Sequence, residues 1–202
     1  MRRTKILPVI ALAGLFSFTG CKEASKSDKK VETVGSPSKD YAEIGMEYAV
    51  STKAALGKNL VGAIQEKGTL GALEFCNIQA MPLTDSMAVA HKAIIKRVSD
   101  KPRNPNNQAN AKELEYIEAF KSTVASGKKV EPIVNQENDQ VDFYYPITTN
   151  TMCLQCHGKP EEQIEPATMA KLQDLYPEDQ AIGYTENEVR GIWAIVVEGN
   201  KE

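Results

Sequence analysis

The chain has 202 residues, of which 42% are hydrophobic and 25% are charged, and its formal net charge at pH 7 is −3. These proportions are typical of one globular domain with some additional chain. A negative net charge argues against a nucleic-acid partner, because nucleic-acid-binding domains usually show a basic excess. Outside the N-terminus the sequence contains no apolar run long enough to predict a membrane span.

The first 20 residues predict an export signal. The short basic region MRRTK is followed by the apolar run ILPVIALAGLFSF and by small residues that lead to Cys21. A permanent membrane helix needs about 20 apolar residues, whereas an export leader has this shorter layout. Because the leader ends directly before a cysteine, it resembles a lipobox, and we expect residues 1–20 to be removed and Cys21 to be lipidated. An ordinary signal peptide followed by an incidental cysteine is the alternative.

A tether and one folded domain are predicted to follow. Residues 21–39 are polar, charged and poor in apolar side chains, so they cannot bury a core and predict a flexible tether. The folded domain is expected to cover residues 40–199. A lipid on Cys21 would anchor this domain to a membrane facing the periplasm, and Lys22, in place of an inner-membrane retention aspartate, favours the outer membrane.

The first half of the domain is predicted to be helical. Residues 40–67 place apolar side chains mostly three or four residues apart, which indicates an amphipathic helix that ends at Gly68. A shorter helix over 69–81 is expected to end at Pro82, or Pro82 is expected to open the next helix, over 83–91.

The second half is predicted to form most of a sheet. Residues 93–99 and 190–198 are rich in β-branched or apolar side chains and indicate strands, and residues 129–148 indicate two strands joined by a polar turn. An amphipathic helix is expected over 111–127. Helices that precede a mostly antiparallel sheet indicate an α+β fold.

Cys153, Cys156 and His157 form a Cys-x-x-Cys-His motif. Two thiols at this spacing can form thioethers with the two vinyl groups of haem, and the adjacent histidine can then bind the iron. A zinc site would need a second ligand pair, for which only Cys76 and His91 remain. A redox dithiol has no need of the histidine. Spacing, histidine and export together favour one covalent haem c.

Cys76 poses a separate question. If lipid and haem take the other three cysteines, Cys76 has no thiol with which to pair, and such a cysteine in an exported protein indicates a reactive or liganding thiol. It shares a helical face with Leu70 and Leu73, so an inert buried thiol is the alternative. Other side chains that could bind the sixth position of the iron are those of His91, Met81 and Met152.

Four segments in order along the chain resemble one known family. They are LEFCNIQA at 73–80, RNPNN at 103–107, CLQCHG at 153–158 and YPEDQAIGYTENEVRGIWAIVV at 176–197. Together they resemble the PAS-like c-type haem domains, which occur alone or as the exported sensor part of signalling proteins. The resemblance implies a PAS-like fold, in which a five-stranded antiparallel sheet is flanked by helices.

The resemblance also implies a ligand set. Cys153 and Cys156 would attach the haem, His157 would be the proximal ligand and Cys76 the distal ligand. Arg103 and Arg190 lie in the resembling segments and could pair with the haem propionates or brace the loops; these two arginines are the remaining candidate site residues.

The expected function is electron transfer or redox sensing through this haem. The partners would be a redox protein or a separate signalling protein, together with the membrane that the lipid enters. A gas sensor that acts through a partner, or a peroxidase-like enzyme if the sixth site opens, are the alternatives. A six-coordinate resting haem argues against the enzyme.

Overall fold

A computed structural model describes residues 39–198; the predicted leader, Cys21 and all but the last residue of the predicted tether lie outside the described residues. The helices are α1 (Lys39–His91), α2 (Ala111–Ala125), α3 (Thr151–His157) and α4 (Pro166–Leu175), with one 3-10 turn at Pro105–Asn107. The strands are β1 (Ile94–Val98), β2 (Ile133–Glu137), β3 (Gln140–Thr148) and β4 (Val189–Glu198).

The strands form one antiparallel sheet in the order β1-β4-β3-β2. The predicted α+β class and all of the predicted strands are therefore confirmed. Within residues 39–198 the sheet has four strands rather than the five that the resemblance implies. Between β1 and β2 the chain forms the 3-10 turn and α2, and an isolated bridge between Ser99 and Gln108 does not extend into a further strand.

The long helix α1 is a helical hairpin. Gly68 has φ +66°, a left-handed conformation that favours glycine, and it separates an N-terminal arm (39–67) from a C-terminal arm (69–91). The far ends of the arms meet, because the rings of Tyr48 and His91 stack with their centroids 4.1 Å apart. The predicted helix end at Gly68 is thus confirmed. No helix between residues 39 and 198 has the length and apolar composition needed to cross a membrane.

Pro82 neither ends nor begins a helix, so that expectation is wrong. It lies inside the C-terminal arm, which continues to His91. Proline removes one backbone donor from a helix, but the surrounding turn gains side-chain donors. Thr84 Oγ1 donates to the Ala80 carbonyl at 2.8 Å, and Ser86 Oγ donates to the Pro82 carbonyl at 2.8 Å. Because Thr84 is buried, tertiary packing also holds the arm in helical form.

Helices cover both faces of the sheet. On one face, Ile117 and Phe120 of α2 pack with Ile192 of β4. On the other, the N-terminal arm of α1 packs with Trp193 and Ile195 through a cluster that includes Ala49 and Phe143. Successive residues of a strand point to opposite faces, so the apolar run of β4 serves both cores. Helix α2 is fixed at its start by a capping box between Asn110 and Glu113.

We expect Gly45→Ala to destabilise the fold. A Cβ atom at Gly45 would lie 2.2 Å from ring atoms of Phe143, which is fully buried and cannot retreat into solvent. Overpacking of this kind typically costs about 1–3 kcal/mol of the free energy of unfolding, which chemical denaturation would measure. Gly57→Ala in the same arm is the control, because its Cβ meets nothing within 4 Å. The control should gain about 0.5–1 kcal/mol from helix propensity, and equal losses in both variants would contradict the packing argument.

Candidate functional site

All six predicted site residues of the domain line one cavity of about 260 Å³. The cavity lies near the Gly68 end of the α1 hairpin, between both arms, α3 and the ends of β1 and β4. The six residues are Cys76, Arg103, Cys153, Cys156, His157 and Arg190. The fold therefore brings Cys76 and the Cys-x-x-Cys-His motif to the same cavity although they are far apart in sequence.

Helix α3 presents the motif on one face. Asn150 caps its start, with its side-chain oxygen 3.2 Å from the backbone N–H of Cys153. Residues three and four apart lie side by side on a helix, so Cys153, Cys156 and His157 are neighbours, while Leu154 is buried in the core. The motif thus offers two thiols and one imidazole to a single partner.

The imidazole of His157 is oriented for binding through Nε2. Its Nδ1 lies 2.7 Å from the Ala181 carbonyl and 3.3 Å from Nε of Arg190. An N–H group that donates to a carbonyl cannot also accept a hydrogen bond, so the shorter contact decides: Nδ1–H donates to Ala181. Burial, with the nearby charges of Arg103 and Arg190, holds the pKa of His157 well below its usual value. The ring is neutral, and its second nitrogen is available as a metal ligand.

Arg103 braces the loop that holds His157. Its Nε and Nη2 atoms both lie 3.0 Å from Asp179 Oδ2, and Nη2 donates to the Cys156 carbonyl at 2.5 Å. Asp179 Oδ1 in turn accepts from the Ala181 N–H at 2.7 Å. Of the two roles predicted for Arg103, the bracing of loops agrees with these contacts.

Several contacts fix Cys76 relative to the motif. Leu73, one helical turn before Cys76, packs with Ile164 and Leu172 in a cluster that Cys156 also contacts. The same arm makes three polar contacts. Glu74 forms an ion pair with Lys171 of α4 at 2.8 Å, and Asn77 donates to the Leu175 carbonyl of α4 at 3.4 Å. Near the start of the arm, Thr69 donates to Gln155 of α3 at 3.2 Å. Burial raises the pKa of the Cys76 thiol, and the charges of Arg97 and Arg103 oppose this effect. Cys76, Cys153 and Cys156 form no disulfide with one another.

The other candidate ligands are placed less favourably. His91 stacks on Tyr48 and lies 2.8 Å from the Ser51 hydroxyl, away from the cavity lining. Met81 and Met152 line the cavity at its rim, where each side chain is 37% exposed. In the part of the chain that the structure describes, no three His, Cys, Asp or Glu residues are grouped so as to hold a metal ion.

Arg97 is a site residue that the sequence analysis missed. It lies on β1 opposite Trp193 of β4 and lines the cavity. Its Nη2 donates to the Ala80 carbonyl at 3.2 Å. The available signal was strand alternation, because Arg97 is two residues from the buried Ile95 and so points to the same face of the sheet.

Comparison with known proteins gives one family and one fold. The sequence model of the family described as "Tll0287-like: Tll0287" matches residues 23–198. No curated protein sequence matches the chain. Among solved structures, the cyanobacterial haem protein Tll0287 is similar, with a TM-score of 0.56 and 19% identity over 78% of this chain and 96% of that one. At this identity the likeness shows the fold.

We expect Asp179→Asn to destabilise the protein strongly. The variant leaves the Arg103 guanidinium without its counter-charge, and the two side chains are only 11% and 7% exposed. Removing one partner of a buried pair typically costs about 3–5 kcal/mol of the free energy of unfolding, which urea denaturation would measure. The control is Glu115→Gln, which breaks the exposed pair with Lys112 and should change little. Similar effects of the two variants would show that the buried pair does not brace the loop.

Proposed function

We propose that this chain, which belongs to the Tll0287-like family, is an exported, lipid-anchored c-type haem protein that acts in electron transfer or redox sensing. The observation that carries the proposal is the shared cavity of Cys76, Cys153, Cys156 and His157. The description of the similar structure as a haem protein supports it independently.

The donor set fits a covalently held haem. Cys153 and Cys156 would form the two thioethers, and a neutral His157 with Nδ1 engaged by Ala181 would bind iron through Nε2. The cavity wall near Gly68 is apolar, with Leu60, Ile64, Ala72 and Leu73. These side chains would exclude water from the macrocycle. When bound, the haem iron supplies one-electron redox chemistry.

Cys76 would be the distal ligand. A thiolate donates strongly to ferric iron, so the reduction potential would be low relative to that of a haem held by histidine and methionine. The contacts of Leu73, Glu74 and Asn77 with α4 hold this part of the arm in place. The protein would therefore bind the iron on both faces through fixed helices.

The proposed setting is the periplasmic side of a membrane, with the outer membrane favoured. Lipid on Cys21 would supply the anchor, and the predicted tether over residues 21–39 would let the domain reach a partner. The cavity rim at Met81 and Met152 is partly open to solvent. A redox protein or a separate signalling protein could approach the haem edge there.

The experiment that tests the proposal is covalent haem retention. In the mature wild-type protein, haem should survive acid–acetone extraction and give the pyridine haemochrome spectrum of thioether-linked haem. The double variant Cys153→Ser, Cys156→Ser should release all haem on extraction, because no thioether can form. Cys76→Ser is the matched control and should keep covalent haem. Absence of haem from the wild type, or its complete extraction, would overturn the proposal.

The distal ligand is tested by Cys76→Ala. Loss of the thiolate should shift the ferric absorption spectrum and raise the reduction potential, because a strong donor to ferric iron is removed. Met81→Leu and Met152→Leu are controls that change the other sulfur ligands able to reach the cavity, and they should leave the ferric spectrum unchanged. A spectrum that changes in one of these variants and not in Cys76→Ala would assign the sixth position to that methionine.

Gas sensing is the second candidate, and the burial of Cys76 favours it. Burial raises the pKa of this thiol, so reduction of the iron would favour a protonated, weakly bound sulfur. An opened sixth position could then take a small gas. Carbon monoxide would separate the candidates: rapid binding to the reduced wild type favours sensing, and an indifferent ferrous spectrum favours electron transfer.

A further inference from the structure

Three guanidinium groups line the cavity, and they differ in how their charge is balanced. They belong to Arg97, Arg103 and Arg190. Arg103 has a carboxylate partner, Asp179, at 3.0 Å. Neither Arg97 nor Arg190 forms an ion pair with any residue between 39 and 198, since their contacts within this range are with carbonyls, a hydroxyl and ring groups.

Arg97 has the less satisfied guanidinium. Nη2 donates to the Ala80 carbonyl at 3.2 Å, whereas Nε is buried and has no hydrogen-bond partner within residues 39–198. Burial lowers the pKa of Arg97, which reflects how unfavourable an unbalanced charge is at this position. Cys76 and Tyr176 are near enough to oppose this effect. An arginine nevertheless stays protonated in a protein, so an anion beside the unpartnered Nε would be favourable.

Arg190 is held by neutral acceptors. Its Nη1 donates to Ser99 Oγ at 2.9 Å and to the Lys101 carbonyl at 3.1 Å. Asp179 is near enough to favour its charge, but this carboxylate already accepts hydrogen bonds from Arg103 and from the Ala181 N–H. Arg190 is thus oriented without a carboxylate of its own.

The two unbalanced arginines lie at the same end of the sheet. Arg97 is near the end of β1, and Arg190 near the start of the antiparallel neighbour β4. Ser99 follows β1 directly and donates to the Arg190 carbonyl at 2.7 Å, so it links the end of β1 to the start of β4. Two guanidiniums from adjacent strands therefore face one cavity that also receives two thiols from α3.

We propose that Arg97 and Arg190 bind the two haem propionates, while Arg103 keeps Asp179 as its partner, an inference that rests on the proposed function. Haem has two carboxylates on the edge opposite its vinyl groups, and the cavity has two partly buried cations that form no ion pair within residues 39–198. A guanidinium can bind a carboxylate through two parallel hydrogen bonds, which the unpaired Nε of Arg97 leaves possible. Arg97 is accordingly a positioning residue for the cofactor.

The test uses the mature holoprotein and reads the carboxylates directly. In Arg97→Gln, the resonance Raman propionate bending bands should shift in both oxidation states. The midpoint potential should fall by about 59 mV, a tenfold change in the ferric-to-ferrous ratio at fixed potential, because a positive charge that disfavours ferric iron is lost. Lys96→Gln is the matched control: it removes an exposed cation at the neighbouring position of β1 and should change neither measurement.

Arg190→Gln should shift the propionate bands as well. Arg97→Lys covers the case in which Arg97→Gln fails to retain haem. It keeps the charge and loses the planar fork, so the bands should shift while the potential stays near the wild-type value. Wild-type bands in Arg97→Gln, Arg97→Lys or Arg190→Gln would overturn the assignment. Absence of haem from the wild type would instead overturn the proposed function, so haem content is measured first.

Discussion

The buried ion pair between Arg103 and Asp179 joins three segments of the chain that are far apart in sequence. Arg103 comes from the loop after β1, donates to the Cys156 carbonyl at the end of α3, and pairs with Asp179 in the loop before β4. Asp179 orients the Ala181 backbone, and the Ala181 carbonyl accepts from His157. The position of the imidazole thus depends on an ion pair that does not include the imidazole. Cys76, Cys153 and Cys156 line the same cavity as this ring.

The second constraint is the hairpin of α1. Its N-terminal arm packs on the sheet so closely that Gly45 has room for no side chain, and Gly68 turns the chain back toward α4. The C-terminal arm then contacts α4 through Leu73 and places Cys76 in the same cavity as the motif. A cysteine that is distant in sequence becomes a candidate ligand because two helices fold back on each other, which no local pattern around Cys76 specifies.

Features set by local sequence patterns could be predicted, whereas features set by packing between distant segments could not. The helices and strands follow from apolar periodicity, and the Cys-x-x-Cys-His spacing places its three side chains on one helical face without further information. The local preference of Pro82 predicts a helix boundary, but packing around the buried Thr84 outweighs that preference. The sequence did not single out Arg97, because its neighbours on β1 have the pattern of an ordinary strand. The cavity shows that Arg97 faces the candidate site. The count of strands was wrong because it came from resemblance and not from the residues.

Charge balance connects these elements to redox behaviour. On the proposed ligand set, the ferric porphyrin charge offsets the Cys76 thiolate, and Arg97 and Arg190 offset the propionates, while Arg103 and Asp179 offset each other. His157 is neutral because burial and the nearby arginines keep its pKa low. An added electron would therefore leave one unbalanced negative charge in a partly buried site, which is unfavourable. Protonation of Cys76 would relieve this charge, and burial raises the pKa of its thiol. The packing that places Cys76 in the cavity would thus also couple arrival of the electron to loss of the distal ligand.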